Sequence, residues 1–411
     1  MPALRAFIRE PYRLLFPLGA LAGCSGVGHW LAYAMGVMPG YSGALHASIQ
    51  LGAYLACFIL GFLWTALPRF TATPPARGWE VAALGFVISA EAWALWRQQW
   101  PIAVAAFGGL LLALAAFAAL RVGQARKRVT PPVEFIWIPA AVIFGLAGCS
   151  VSLLVQLGHA PVVWLAWARP LWQQGFLLAI VVGVAGFLAP RLLGRLADLT
   201  PMTVEQAARQ RRQRLRWHEL GIAVLAASFL LEGSGALRAA YAARAALLTV
   251  ALALPAQLWQ PPRVREEYVW LLWASLWMVV LGFWGPAAWP RLRIALLHVA
   301  FIGGFSLMIF AVATMVIYSH AGDSMALRGR VWPLRLAAAG VAVALVARLA
   351  ADLWPARYTL LLGTAAAGWL AGMLVWLVGV TPRLLRVPPP GAFETAHEAA
   401  KAALRQRASA C

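Results

Sequence analysis

Val133-Glu134-Phe135-Ile136-Trp137-Ile138-Pro139-Ala140-Ala141-Val142-Ile143-Phe144-Gly145-Leu146-Ala147-Gly148-Cys149-Ser150 sets an acid beside an aromatic and then runs on without a further charge. Crossing a bilayer takes about 20 apolar residues at 1.5 Å rise each, and this run has that length. The same opening occurs as Arg9-Glu10-Pro11-Tyr12 and as Arg265-Glu266-Glu267-Tyr268, each before another apolar run. The first two copies keep register further along. Leu21-Ala22-Gly23-Cys24-Ser25 returns as Leu146-Ala147-Gly148-Cys149-Ser150, and Gly61-Phe62-Leu63 as Gly186-Phe187-Leu188, both displaced by 125 residues. Recurrence at a fixed offset points to an internal repeat.

Composition agrees with the membrane. The 411-residue chain is 62% hydrophobic and only 12% charged, whereas a soluble domain carries about 25% charged residues. Twelve apolar stretches stand at 14–36, 44–67, 79–97, 100–121, 133–157, 170–190, 219–236, 238–259, 268–289, 294–318, 334–353 and 359–381. They are continuous, not alternating, so they predict helices and not a barrel, since lipid forces every backbone group to bond internally. The expected fold is an all-α polytopic membrane protein. Its three four-helix modules are 1–128, 129–262 and 263–387, followed by a tail at 388–411. Stretches 2, 6 and 10 are expected innermost.

The net charge of +20 would suit nucleic acid if it were spread evenly. It is not. Arg5, Arg9 and Arg13 precede the first stretch, Arg69 and Arg77 follow the second, and Arg121, Arg126, Lys127 and Arg128 follow the fourth. Arg209, Arg211, Arg212, Arg214 and Arg216 precede the seventh, and Arg383, Arg386, Lys401, Arg405 and Arg407 close the chain. The intervening loops carry few, such as Arg97, Arg169, Arg291 and Arg293. By the positive-inside rule both termini are cytoplasmic, which in a bacterium would mean the inner membrane, and the partner is the lipid bilayer with no nucleic acid. Segment 197–218 is expected as a short helix with a Thr203/Gln206 capping box, and 393–407 as an amphipathic one.

Cys24, Cys57, Cys149 and Cys411 form no CxxC pair, which excludes a zinc ribbon or a thioredoxin-like motif. Leu21-Ala22-Gly23-Cys24 looks like a lipoprotein cleavage box, yet its apolar run continues to Ala34 and the tetrapeptide recurs deep in the chain. Small-residue helix packing explains it better.

Ionisable groups inside apolar sequence cost several kcal/mol unless they are paired or functional. His29, His46 and His298 share one depth, near the non-cytoplasmic ends of their stretches. His46 and His298 open the second stretch of modules one and three, while module two has Leu171-Trp172-Gln173 there. Two imidazoles facing each other suit a haem iron, and imidazole also suits copper; the bland reading is that each bonds a neighbouring helix. Gln50 lies one turn beyond His46 on the same face. His320, 22 residues or about 33 Å along from His298, belongs to the other face. With Arg69 and Arg191 it marks either a headgroup anchor or a second, inner polar site. Glu91, Glu232 and Arg348 lie on the third helices of their modules, and Arg238 and Arg244 begin the eighth. Acid–base pairing is their simplest role; alternatively Arg244 and Arg348 hold haem propionates and Glu91 relays a proton.

His46-Ala47-Ser48-Ile49-Gln50 followed by Gly61-Phe62-Leu63-Trp64-Thr65-Ala66-Leu67-Pro68 resembles the NnrS family of bacterial membrane proteins, where an HxHEM-like motif precedes a GFLLTAxPNW-like helix end. Leu297-His298 with Gly303 and Gly304, and Ser319-His320-Ala321-Gly322-Asp323, resemble its LHxxxxG and GHTGRP-like segments. Arg169-Pro170-Leu171-Trp172-Gln173-Gln174-Gly175 with Ala189-Pro190-Arg191 fits the middle portion. The resemblance covers most of the chain. It implies twelve helices, haem and copper as cofactors, and a place in denitrifying or nitrosatively stressed bacteria, relieving nitric-oxide stress. Ser48, Ile49 and Gln50 replace the second histidine, the glutamate and the methionine of HxHEM, which takes away candidate copper ligands. Ser319 and Asp323 replace the glycine and arginine of the later segment. His46, His298 and His320 survive, so non-covalent haem b, without any CxxCH attachment, is the cofactor carried over. No catalytic residue or redox partner is assigned. A transporter of a small solute or metal, or a cofactor-free scaffold, is the alternative.

Overall fold

A computed structural model describes residues 2–125, 131–195 and 203–387. Among these residues there is no strand, and the fold is an all-α polytopic membrane protein. Its long helices are α1 (Tyr12–Ala34), α2 (Gly43–Thr71), α3 (Gly78–Trp96), α4 (Trp100–Gly123), α5 (Val133–Gln156), α6 (Val162–Leu192), α7 (Val204–Gly233), α8 (Leu237–Ala256), α9 (Glu267–Ala288), α10 (Pro290–His320), α11 (Trp332–Leu353) and α12 (Pro355–Leu385). Eleven are long and apolar enough to cross a membrane. The twelfth, α7, has the length but is highly charged over its first half.

There the structure corrects the sequence reading. Instead of a short surface helix followed by a separate span, residues 204 to 233 form one continuous helix. Nothing in between breaks it: the segment has no proline, and arginine is a good helix former. The expected capping box is present, with Thr203 Oγ1 accepting from the Gln206 amide and Gln206 Oε1 from the Thr203 amide. The expected tail helix 393–407, Cys411, and the basic residues Arg126, Lys127 and Arg128 lie outside the described residues.

Helices α2, α6 and α10 bury 78%, 61% and 67% of their apolar windows, against no more than 56% for any other span. They meet around one apolar cavity of about 110 Å³, walled by Phe58, Phe62, Leu177, Val181, Phe305 and Met308. Each of the three also contains a π-helical segment near its start: Ile49–Tyr54, Leu171–Gly175 and Val299–Ser306. A π turn adds a residue to the helical repeat and rotates the N-terminal part of the helix relative to the C-terminal part. The small-residue motif does pack helices closely. A Cβ on Gly148 would stand 2.6 Å from both the Ala168 carbonyl oxygen and the Trp172 nitrogen, so glycine alone lets α5 meet the α6 backbone.

The acids that open the repeated motif anchor helix ends. Glu134 pairs with Arg214 of α7, Glu267 with Arg335 of α11, and Glu10 with Arg13 at 2.7 Å and Arg69 at 2.9 Å. We call the face holding these pairs the terminal face, since α1 begins and α12 ends there; the opposite face is the distal face.

Candidate functional site

The N-terminal segments of α2 and α10 carry the two repeat-matched histidines to one place on the distal side. The ring centres of His46 and His298 lie 6.5 Å apart, with their planes 14° from parallel. His46 Nδ1 lies 2.9 Å from the Gly26 carbonyl oxygen of α1, and His298 Nδ1 lies 2.6 Å from the Ile294 carbonyl oxygen one turn back. A nitrogen that donates to a carbonyl carries the proton, which leaves Nε2 with its lone pair. Both rings are half-buried. Trp30 sets its edge to His46 at 5.9 Å, Tyr41 stacks on Trp30 at 4.2 Å, and Phe301 meets His298 edge-on at 6.4 Å.

His29 joins the group differently. It is buried, its ring centre is 6.2 Å from that of His46, and its Nδ1 turns to the same Gly26 oxygen at 2.9 Å. Gln50 does not orient the His46 ring: its Nε2 donates to the Gly23 carbonyl at 2.9 Å and ties α2 to α1. Arg348 of α11 is buried, bonds Asp352 at 3.1 Å, and lies within electrostatic reach of both His46 and His298.

Other candidates are elsewhere. Arg244 is fully buried between α6, α7 and α8, where it bonds Ser228 Oγ at 2.9 Å, Gln174 Oε1 at 3.0 Å and Glu232 at 2.6 Å. Its guanidinium also lies over the Phe229 ring at 4.1 Å. With every direction filled by protein, it serves as the partner of a buried acid, and its grouping with the histidines is corrected. Arg293 adds a contact to Glu232 at 3.3 Å.

Of the three inner residues, the fold joins two. Arg69 and His320 converge on Glu10: Arg69 Nη2 donates to Oε1 at 2.9 Å, and His320 Nδ1 to the same oxygen at 2.8 Å. Burial alone would raise the Glu10 pKa, but the hydrogen bond and charge of His320, together with Arg13, bring it down to about 2. Arg191 is not in this cluster; it caps the Phe187 carbonyl of its own helix and lies over the Phe187 ring at 3.8 Å. In the sequence Glu10 stands only as an entry marker. The threefold recurrence of an acid at that place is the signal that it holds something.

Among the described residues, no three His, Cys, Asp or Glu side chains form a group able to hold a metal ion. A metal bound by protein alone, in the three- or four-ligand manner usual for imidazole sites, does not fit this set. Two near-parallel imidazoles with centres 6.5 Å apart have the spacing of a pair sharing a metal whose remaining positions are filled by a macrocycle.

The family model described as "NnrS protein" matches residues 6–387, nearly the whole chain, and the chain belongs to that family. No curated protein matches it.

Proposed function

We propose that this NnrS-family membrane protein binds one haem b between His46 and His298, and that it acts in the response to nitric oxide and nitrosative stress. One observation carries the reading: the 6.5 Å separation of two ring centres whose Nδ1 atoms are both engaged by carbonyls. Two metal–nitrogen bonds of about 2 Å, with about 1.1 Å from each nitrogen to its ring centre, require roughly 6 Å between centres. The second nitrogen of each ring already has the hydrogen bond that orients a ligand imidazole. Arg348, buried beside the pair, supplies a positive charge for a propionate.

Bound there, haem would supply an iron able to exchange electrons or to bind a diatomic molecule. The chain's own part is to fix both tautomers, to wall the site with Trp30 and Phe301, and to place Arg348 against negative charge. Copper is the less favoured cofactor, because the set lacks a third ligand side chain. The basic loops support the bacterial inner membrane with both termini cytoplasmic, so the terminal face is cytoplasmic and the haem lies towards the periplasm.

The test is the absorption spectrum of the full chain purified in detergent from cells supplied with haem precursor. A Soret band that disappears in His46→Ala and in His298→Ala, but persists in His320→Ala, is the expected result. Colourless wild-type protein, or a band that survives both outer substitutions, would overturn the proposal.

A further inference from the structure

A second chamber, largely apolar but with a few polar side chains, lies on the distal side between modules one and two, on a different face of α2 from His46. It has a volume of about 240 Å³, ample for several waters. Its walls come from α2, α3, α4, α5 and α6, with Trp100 and Phe107 as the broad apolar sides. The exposed Arg169 stands at its rim.

Glu91 of α3 is 2% exposed and lines this chamber. Gly52 of α2 makes the space for it, since a Cβ there would come within 2.4 Å of Glu91 Oε1. Glu91 Oε2 has no hydrogen-bond partner, and neither do Ser152 Oγ, Gln156 Oε1 or Trp172 Nε1, which line the same chamber. Four orphaned polar atoms around one hollow are unusual, because buried polar groups are almost always bonded. The other modules show what an ordinary arrangement would be. Glu232, also on the third helix of its module, is paired with Arg244 and Arg293, and Arg348 is paired with Asp352. Glu91 has no ion pair among the described residues.

An isolated carboxylate in so apolar a place is prohibitively costly, so the acid must hold a positive charge of its own. We propose that this chamber is a monovalent-cation site entered from the distal face. Glu91 either takes a proton, with waters bridging to the orphaned groups, or shares a sodium ion with the oxygens of Ser152 and Gln156. Both occupants use the same oxygen set, and hard cations are held by oxygen. The titratable groups around Glu91 are Cys149 of α5 in the chamber wall and Arg169 of α6 at its rim, with Cys57 of α2 within electrostatic reach outside the wall; α4 contributes only apolar residues to the wall. This site is independent of the haem reading.

The experiment uses the full chain in proteoliposomes and dicyclohexylcarbodiimide, which modifies protonated carboxyls in apolar surroundings. Modification is located residue by residue by mass spectrometry. Glu91 is expected to react at least about tenfold faster than Glu232, whose ionised form is held by two arginines. If the occupant is a proton, the Glu91 reaction is insensitive to sodium at fixed pH and slows only once the pH is high enough to ionise the acid. If it is sodium, replacing choline chloride with sodium chloride protects Glu91 at fixed pH. Reaction no faster at Glu91 than at Glu232 overturns the proposal.

Discussion

His29 and His46 direct their Nδ1 atoms at one acceptor, the carbonyl oxygen of Gly26, each at 2.9 Å. A carbonyl oxygen only accepts, so both Nδ1 atoms carry their protons. Rings that converge on one atom through Nδ1 turn their Nε2 atoms apart, so His29 and His46 cannot face each other across a metal despite ring centres only 6.2 Å apart. His298, approaching from α10, is the partner whose geometry fits.

His29→Phe should therefore retain the Soret band, while His46→Phe should remove it. The hydrogen bond lost from His29 is worth about 1 kcal/mol, a small fall in thermal stability. A His29→Phe protein that is stably inserted but colourless would make His29, and not His298, the second ligand.

Arg244 tests the distinction between a structural and a cofactor-holding arginine. Arg244→Met leaves Glu232 buried with only the half-exposed Arg293, and removing one partner of a buried pair costs about 3 kcal/mol or more. The expected outcome is a clearly lower melting temperature in detergent with an unchanged band per folded protein. A protein of normal stability with an altered haem spectrum would return Arg244 to the cofactor site.

The Glu10 hub predicts a dependence on acid. Its folded pKa of about 2 lies below the ordinary value of 4.5, so the unfolded chain binds the proton more tightly. The stabilisation is fully present above pH 4.5 and is lost as the pH falls toward 2. It is on the order of 3 kcal/mol. Glu10→Gln should lower stability at neutral pH and flatten the stability profile across that acid window. Parallel profiles for the two proteins between pH 5 and pH 2 would count against the hub.

Much of the fold is legible in the residues. Continuous apolar runs become helices because lipid leaves the backbone no other choice, and the repeated Leu-Ala-Gly-Cys-Ser marks a real close approach at Gly148. His46 and His298 can be matched by their position in the repeat, and they do meet. What spacing alone does not show is direction around the helix axis. Arg69 and Arg191 end equivalent helices, yet one reaches Glu10 and the other folds back on Phe187. Glu91 and Glu232 likewise read as equivalent acids, but only Glu232 has arginines facing it. The π-helical segments are invisible to a 3.6-residue reading, and they decide which faces meet.

Those segments can themselves be tested. In α10 the π segment Val299–Ser306 directly follows His298. Deleting Ile302 would restore α-helical spacing, and one residue corresponds to about 100° of rotation between the two halves of the helix. Either His298 swings away from His46, or the rest of α10 leaves the packing of α9, where Gly304 lies against Val279. The deletion variant should insert into the membrane, because its apolar length hardly changes, but it should lose the Soret band. The matched deletion of Val250 in the π segment Thr249–Ala253 of α8, where that side chain is exposed, should keep the band. Retention of haem after loss of Ile302 would show that the π segment does not set the His46–His298 pair.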